Sequence, residues 1–217
     1  MTGDVTSDTL HRTAKLLFDS RRVHTLEEAK AYLQSMVLQV AVGTGVGDNR
    51  AAQAALLTAV NAGRRAFLGG VHVVLDDDPV LDVPWAAGLT VAGAVSRFGG
   101  VVVDRLDPMV ATLAVGAPED PVGSYLLHVT HHGWAGGVAQ SPDALAAGGA
   151  IAPAGILAGA LGISEVFQRE LGDPVPGRRD VGVSLWRPDL DWRSAEALGP
   201  DLQYLPAGFC QVAASFA

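Results

Sequence analysis

Three glycines at alternate positions, Gly43, Gly45 and Gly47, follow an apolar run at residues 36–42 (MVLQVAV) and precede a helical pattern at 48–65. Glycines after a strand let the chain turn sharply and let its backbone approach a pyrophosphate closely. The helix that follows aims free N–H groups and its positive dipole end at the anion. Asp76 stands at the end of the next apolar run, where a carboxylate can hold ribose hydroxyls. Arg50, in the first helical turn, can face phosphate and offset Asp48, whose carboxylate would repel it. The chemistry open to this set is nucleotide binding. The pattern departs from G-x-G-x-x-G, because Asp48 follows Gly47 directly, and a tight strand-to-helix turn with no ligand accounts for the same residues.

Other groups are weaker. Asp76, Asp77 and Asp78 could bind magnesium through carboxylates and waters, or form a solvated loop. In the run HVTHH, His128 and His132 share one face of a strand while His131 points away. Two histidines could ligate zinc, yet no third ligand is near in sequence, and a polar strand end before Gly133-Trp134 explains them as well. Asp189 and Asp191, flanked by Arg187 and Arg193, suit surface ion pairs. Ser164, in G-I-S-E-V, lacks the G-x-S-x-G nucleophile elbow. The single cysteine, Cys210, excludes an intramolecular disulfide and a cysteine-rich zinc site, so no zinc is expected.

The elements that must position these residues follow from periodicity. Residues 8–34 read as two helices, the second opened by the capping box of Thr25 and Glu28. Strands are expected at 36–42, 71–75, 101–104, 109–115, 125–130 and 181–186, and helices at 48–65, 86–97 and 151–170. Alternation of this kind predicts an α/β fold: a Rossmann-like, doubly wound, mostly parallel sheet spanning 36–217, with a short helical N-terminal segment at 1–35. Residues 144–163 carry no charge, but alanine, glycine and Pro153 dominate them, which favours a buried helix over a membrane span. The Gly155–Gly159 spacing suits close packing on a sheet or on a second subunit, as in a dimer.

Composition narrows the partners. Among 217 residues, 49% are hydrophobic and 18% charged, a balance for a large buried core. The net charge of -8 and the lack of a basic stripe exclude nucleic acid and anionic membrane surfaces as expected partners. The first ten residues lack the basic-then-apolar layout of a signal peptide, so a cytoplasmic location is expected.

Three segments in order resemble the ThiF/MoeB-like group of ubiquitin-activating-type adenylyltransferases. They are VAVGTGVGDNRAAQAALLTAVNAG at 40–63, LHVTHHGWAGGV at 127–138 and AIAPAGILAGALGISEVFQR at 150–169. The resemblance implies ATP, with magnesium, at the glycine loop and adenylation of the C-terminal carboxylate of a small β-grasp, ubiquitin-like protein. It implies roles for an acid, matched by Asp76, and for a second aspartate, loosely matched by Asp104. The family's arginine has no counterpart between Leu75 and Ser96, its lysine has none after Lys30, and its CxxC pairs are absent. These missing cations would neutralise transferring phosphate. The resemblance therefore points to a catalytically degenerate domain, a pseudoenzyme serving as the structural or partner-binding half of an adenylyltransferase system, in a dimer or a longer protein. An active ATP-dependent adenylyltransferase, an NAD-dependent oxidoreductase and a non-enzymatic assembly module are the alternatives.

Overall fold

The computed structural model describes residues 14–15, 17–19, 22–145 and 148–201. Seven strands form one sheet: β1 Val37–Val42, β2 Gly70–Leu75, β3 Val101–Val102, β4 Thr112–Val115, β5 Leu126–His132, β6 Ala135–Ala139 and β7 Val181–Ser184. Their order is β3-β2-β1-β4-β5-β6-β7. The first five run parallel, β6 returns antiparallel to β5, and β7 pairs antiparallel with β6. The four longer helices are α1 Leu26–Ser35, α2 Arg50–Ala66, α3 Val91–Arg97 and α4 Ala152–Glu170. The sheet is mostly parallel and helix-packed, so the architecture is the Rossmann-like α/β class. The order reverses between β1 and β4, and the crevice at their C-terminal ends is where such sheets place ligands.

Each parallel strand sorts its side chains by alternation. Leu38, Val40, Val42, Val71, Val73, Leu113, Val115 and Leu127 are all buried and belong to one core cluster. Glycines let two helices settle on this face: a Cβ at Gly63 of α2 would lie 3.1 Å from Leu38, and one at Gly162 of α4 3.1 Å from Leu113. The opposite face of β1 and β4 carries Gln39, Ala41, Thr112 and Ala114, which are small or polar yet buried. Loops cover them. Gln39 donates from Nε2 to the Asp107 carbonyl at 2.8 Å and accepts the Asp107 N–H at 2.6 Å, while Thr112 Oγ1 donates to the Val122 carbonyl at 2.7 Å. The run 36–42 is thus buried on both sides, as its continuous apolar character predicts, but by helices on one side and loops on the other.

Helices α2 and α4 lie side by side almost backbone to backbone. A Cβ at Gly155 would sit 1.9 Å from the Ala51 carbonyl oxygen, and one at Gly159 2.5 Å from that of Ala55. The Gly155–Gly159 spacing therefore serves a helix of the same chain, in place of the expected sheet or second subunit. The reason is geometric: both helices follow strands of the same sheet face, and only glycine against alanine lets them come so near. Glycine costs a helix about 1 kcal/mol per position, and the close dispersion contacts offset it.

The remaining differences from expectation are local. The helix expected at 86–97 shortens to Val91–Arg97, because Thr90 caps it and residues 79–90 turn back through a Val80–Thr90 bridge. Strand β6 (AGGVA) is not among the expected strands; glycine hides it, since Gly136 must pass under Ala154, and Gly137 against the Val181 carbonyl and Trp192. The capping box at Thr25 is present and α1 opens there. The first of the two helices expected at 8–34 lies partly outside the described residues. Among the described residues no helix is long and apolar enough to cross a membrane.

Gly159→Val is expected to lower stability by about 3 kcal/mol, the upper end for overpacking, in urea unfolding. Gly93→Ala, whose Cβ would meet only Thr90 Oγ1 at 3.4 Å, is expected to raise it by about 0.5 kcal/mol through helix propensity.

Candidate functional site: the crevice between β1 and β4

The glycine loop enters the crevice and folds onto its far wall. Gly43 N–H donates to the Val115 carbonyl at 2.8 Å and Gly45 N–H to the Gly116 carbonyl at 3.1 Å. Thr44–Val46 forms one 3-10 turn with Val46 buried at its end. Gly43 and Ala117 are pressed together, so that a Cβ on Gly43 would lie 2.3 Å from the Ala117 carbonyl carbon. Gly116 takes φ +72°, which lets the chain leave β4 under Val46. Gly47 rests against Pro79, with a virtual Cβ 3.2 Å away.

The start of α2 is capped from within. Asn49 Oδ1 accepts the N–H groups of Ala51 and Ala52, both at 3.0 Å. These are the donors a helix N-terminus would otherwise offer to an anion. Asp48 is exposed and does not cap the helix. Arg50 points sideways, with Nε donating to Asp82 at 2.7 Å in an exposed pair, worth little to stability. Asp76, at the end of β2, accepts the Glu119 N–H at 2.7 Å and so ties the loop after β4 across the mouth of the crevice. Asp78 accepts the Ala92 N–H and Asp77 that of Asp78, so all three acids of the triplet accept backbone N–H groups. Asp104 is exposed just past β3, away from β1 and β4 in strand order.

Of the five residues singled out from sequence, the structure brings Gly43, Gly45 and Gly47 to the crevice and Asp76 to its mouth, and turns Arg50 outward to Asp82. Sequence reasoning missed Gln53, which is fully buried under the loop. Its Nε2 donates to the carbonyls of Val46 and Gly47 at 3.2 and 2.9 Å, and its Oε1 accepts the N–H groups of Asp82 and Val83. One signal was available: Gln53 is the one polar residue in an otherwise apolar stretch from Ala51 to Leu57. Asn49 as the cap was equally readable, since asparagine is among the strongest N-cap residues.

The N–H groups of Gly43, Gly45, Gly47, Ala51 and Ala52, one oxygen of Asp76 and Arg50 Nε each have a partner inside the chain.

The histidines lie one strand beyond. Alternation places His128 and His132 on one face and His131 on the other, as expected. Burial lowers the pKa of both His128 and His131, and for His131 the nearby His132 ring adds to the effect. The Nδ1 atoms of His131 and His132 are buried without a hydrogen-bond partner among the described residues. No group of three or more His, Cys, Asp or Glu stands close enough to hold a metal among the described residues. Arg187 and Arg193 pair with Asp189 and Asp191 at the surface, and Arg187 holds the Asp189 carboxyl down to about 2.

Two outcomes follow from this geometry. Gln53→Leu leaves two buried carbonyls and two N–H groups without partners and is expected to cost about 3 kcal/mol in chemical denaturation. His131 is held neutral in the folded chain with a pKa below the unfolded value near 6.5. The unfolded chain therefore takes up the proton first, so the stability present above pH 6.5 is lost as pH falls below it. The melting temperature should fall as pH drops below about 6.5, and His131→Gln should flatten that fall.

Comparison with known proteins places the chain. The sequence model of the BilD N-terminal domain matches residues 37–185, which runs from the first residue of β1 to one residue past β7. The chain is similar to the bacterial E1-like protein BilD of Collimonas sp. (strain OK412), 37% identical over 203 residues. The match covers 92% of this chain and 44% of that protein, so the chain spans less than half the length of the curated relative it matches.

Proposed function

The chain belongs to the BilD N-terminal domain family, and from that premise we propose that it is the non-adenylating, pairing half of an E1-like activating protein. One observation carries the reading: the groups that would hold a nucleotide in the crevice are spent on one another. Gly43 and Gly45 bond to Val115 and Gly116, Asn49 caps α2, Asp76 holds Glu119 and Arg50 holds Asp82. A site that accelerates phosphoryl or adenylyl transfer needs such donors and cations free to meet developing charge. The sequence adds that no lysine follows Lys30.

Two facts about the similar protein support the other part of the reading. The similar protein is described as E1-like, and more than half of its length lies outside the match. In this reading the remaining half, on the same polypeptide or another, binds ATP and magnesium and adenylates the carboxylate of a small β-grasp protein. The domain described here supports that half structurally. Its retained sheet and glycine turn are the inheritance of a nucleotide-binding fold, kept because the turn closes the core at Val46.

The test is ligand-induced stabilisation of the purified chain. ATP with magnesium, AMP and NAD, each at millimolar concentration, are expected to leave the melting temperature unchanged. A bound ligand at a hundredfold excess over its dissociation constant would add about 2.7 kcal/mol. A rise with ATP that disappears in Gly45→Trp would restore the adenylyltransferase reading; a rise with NAD alone would favour the oxidoreductase.

A further inference from the structure

The helix face of the sheet is left open at its last strand. Helix α4 lies over β6, where a Cβ at Gly136 would come 2.1 Å from the Ala154 carbonyl oxygen. Residues directly opposite in an antiparallel pair share a face, so Val183, across from Gly136, points to the same side. Strand β7 is one step further out and ends the sheet. Val181 still packs against the core, but Val183 and Leu185, next on the same alternation, are 38% and 44% exposed. Trp186 follows, half-exposed against Trp134. The other face of β7 is covered by later parts of the chain: Trp192 lies against Gly182 and Gly137, and Ser184 Oγ donates to the Ala197 carbonyl at 2.6 Å. On the α4 side the strip Val183, Leu185 and Trp186 is a contiguous apolar surface.

The path of the chain supplies an occupant. From Trp192 to Ala197 it runs over the far face of β6 and β7. It then rounds the end of β6. The Trp134 backbone N–H donates to the Leu198 carbonyl and Trp134 Nε1 to the Pro200 carbonyl, both at 2.8 Å. Gly199 takes φ +70°, and a Cβ there would lie 2.4 Å from the Trp134 ring. The chain therefore passes Asp201 beside Trp134, whose ring packs on Trp186 at the exposed end of the strip. Residues 202–217 (LQYLPAGFCQVAASFA) carry no charge, and Leu202, Tyr204, Leu205, Phe209, Val212 and Phe216 are large and apolar. Such a stretch gains free energy by burial.

We infer that residues 202–217 cover this strip: the chain turns back at Trp134 and lays the stretch from Leu202 to Phe209 across Val183, Leu185 and Trp186. The distance is short. An extended chain advances about 3.3 Å per residue, so four residues past Asp201 span as much as β7 itself. The tether favours this occupant over a second copy or another protein, because a short linker holds its segment at an effective concentration on the order of millimolar. The inference is independent of the pairing function proposed above.

Photocrosslinking of the full, purified chain at two concentrations tests the assignment. The photoreactive residue p-benzoylphenylalanine replaces Leu185 in one variant and Ile156, which lines the groove beside α2, in another. Position 185 is expected to join a peptide from residues 202–217 of the same molecule, with a yield unchanged by dilution, and position 156 is not. A crosslink from 185 to a second copy, lost on dilution, would overturn the occupant. Capture of residues 202–217 at 156 and not at 185, or at neither position, would overturn the surface. In parallel, Leu185→Asp is expected to speed chymotryptic cleavage after Tyr204 and Phe209 about tenfold, since proteolysis follows the population of the open segment. Leu185→Met, which keeps the strip apolar, is expected to leave the rate as it was. Phe67, fully buried, stays uncut in both and reports an intact fold. Equal rates in Leu185→Asp and the unaltered chain would count against the cover.

Discussion

The approach of α2 to α4 is the contact on which the rest of this structure depends. Two parallel helices on one sheet face can sit this close only where one presents glycine and the other alanine. Gly155 and Gly159 meet the carbonyls of Ala51 and Ala55, and Gly63 and Gly162 drop the same helices onto Leu38, Val71 and Leu113. The helices thereby span β2, β1, β4, β5 and β6 as one slab. At the C-terminal ends of β1 and β4 the loops also meet closely, Gly43 against Ala117.

Convergence explains the crevice. Once Gly43 lies against Ala117, the polar groups that line the gap are near enough to satisfy each other, and buried or crowded polar groups do so wherever geometry allows. Gln53 completes the arrangement from beneath by binding the glycine loop and the 82–83 backbone at once. Asn49 Oδ1 takes the first-turn N–H groups of Ala51 and Ala52, and Asp76 Oδ2 takes the Glu119 N–H. The internal partners are held in place by the fold, so they carry no cost of association.

A layer built from small residues has a second consequence. Alanine and glycine bring the helices together but leave little side chain to project outward, and what projects here is apolar or neutral. Trp85 and Ile156 are the large side chains that remain at that surface. The same residues that make the interior tight thus leave a largely uncharged exterior on this layer.

How much of this was legible in the chain itself can be read from particular residues. The 36–42 run, the helical pattern at 48–65, the run at 71–75 and the capping box at Thr25 are local patterns, set by alternation, propensity and a side chain bonding its own neighbourhood. They specify an α/β sheet with a glycine turn at the right place. The same local reasoning identified Gly43, Gly45, Gly47, Arg50 and Asp76 as a nucleotide set, because residue type and spacing are all it can weigh. Whether Asp76 meets a ribose or the Glu119 N–H, and whether Arg50 turns to phosphate or to Asp82, depends on residues more than thirty positions away. Strand β6 escaped notice for a related reason: its glycines look like a turn until Ala154 and Trp192 are seen to press on them. Sequence by itself determined the elements and their class, since those rest on neighbours in the chain. Only the tertiary structure decided that the crevice closes on itself, because the partners of a polar group are chosen by proximity in space.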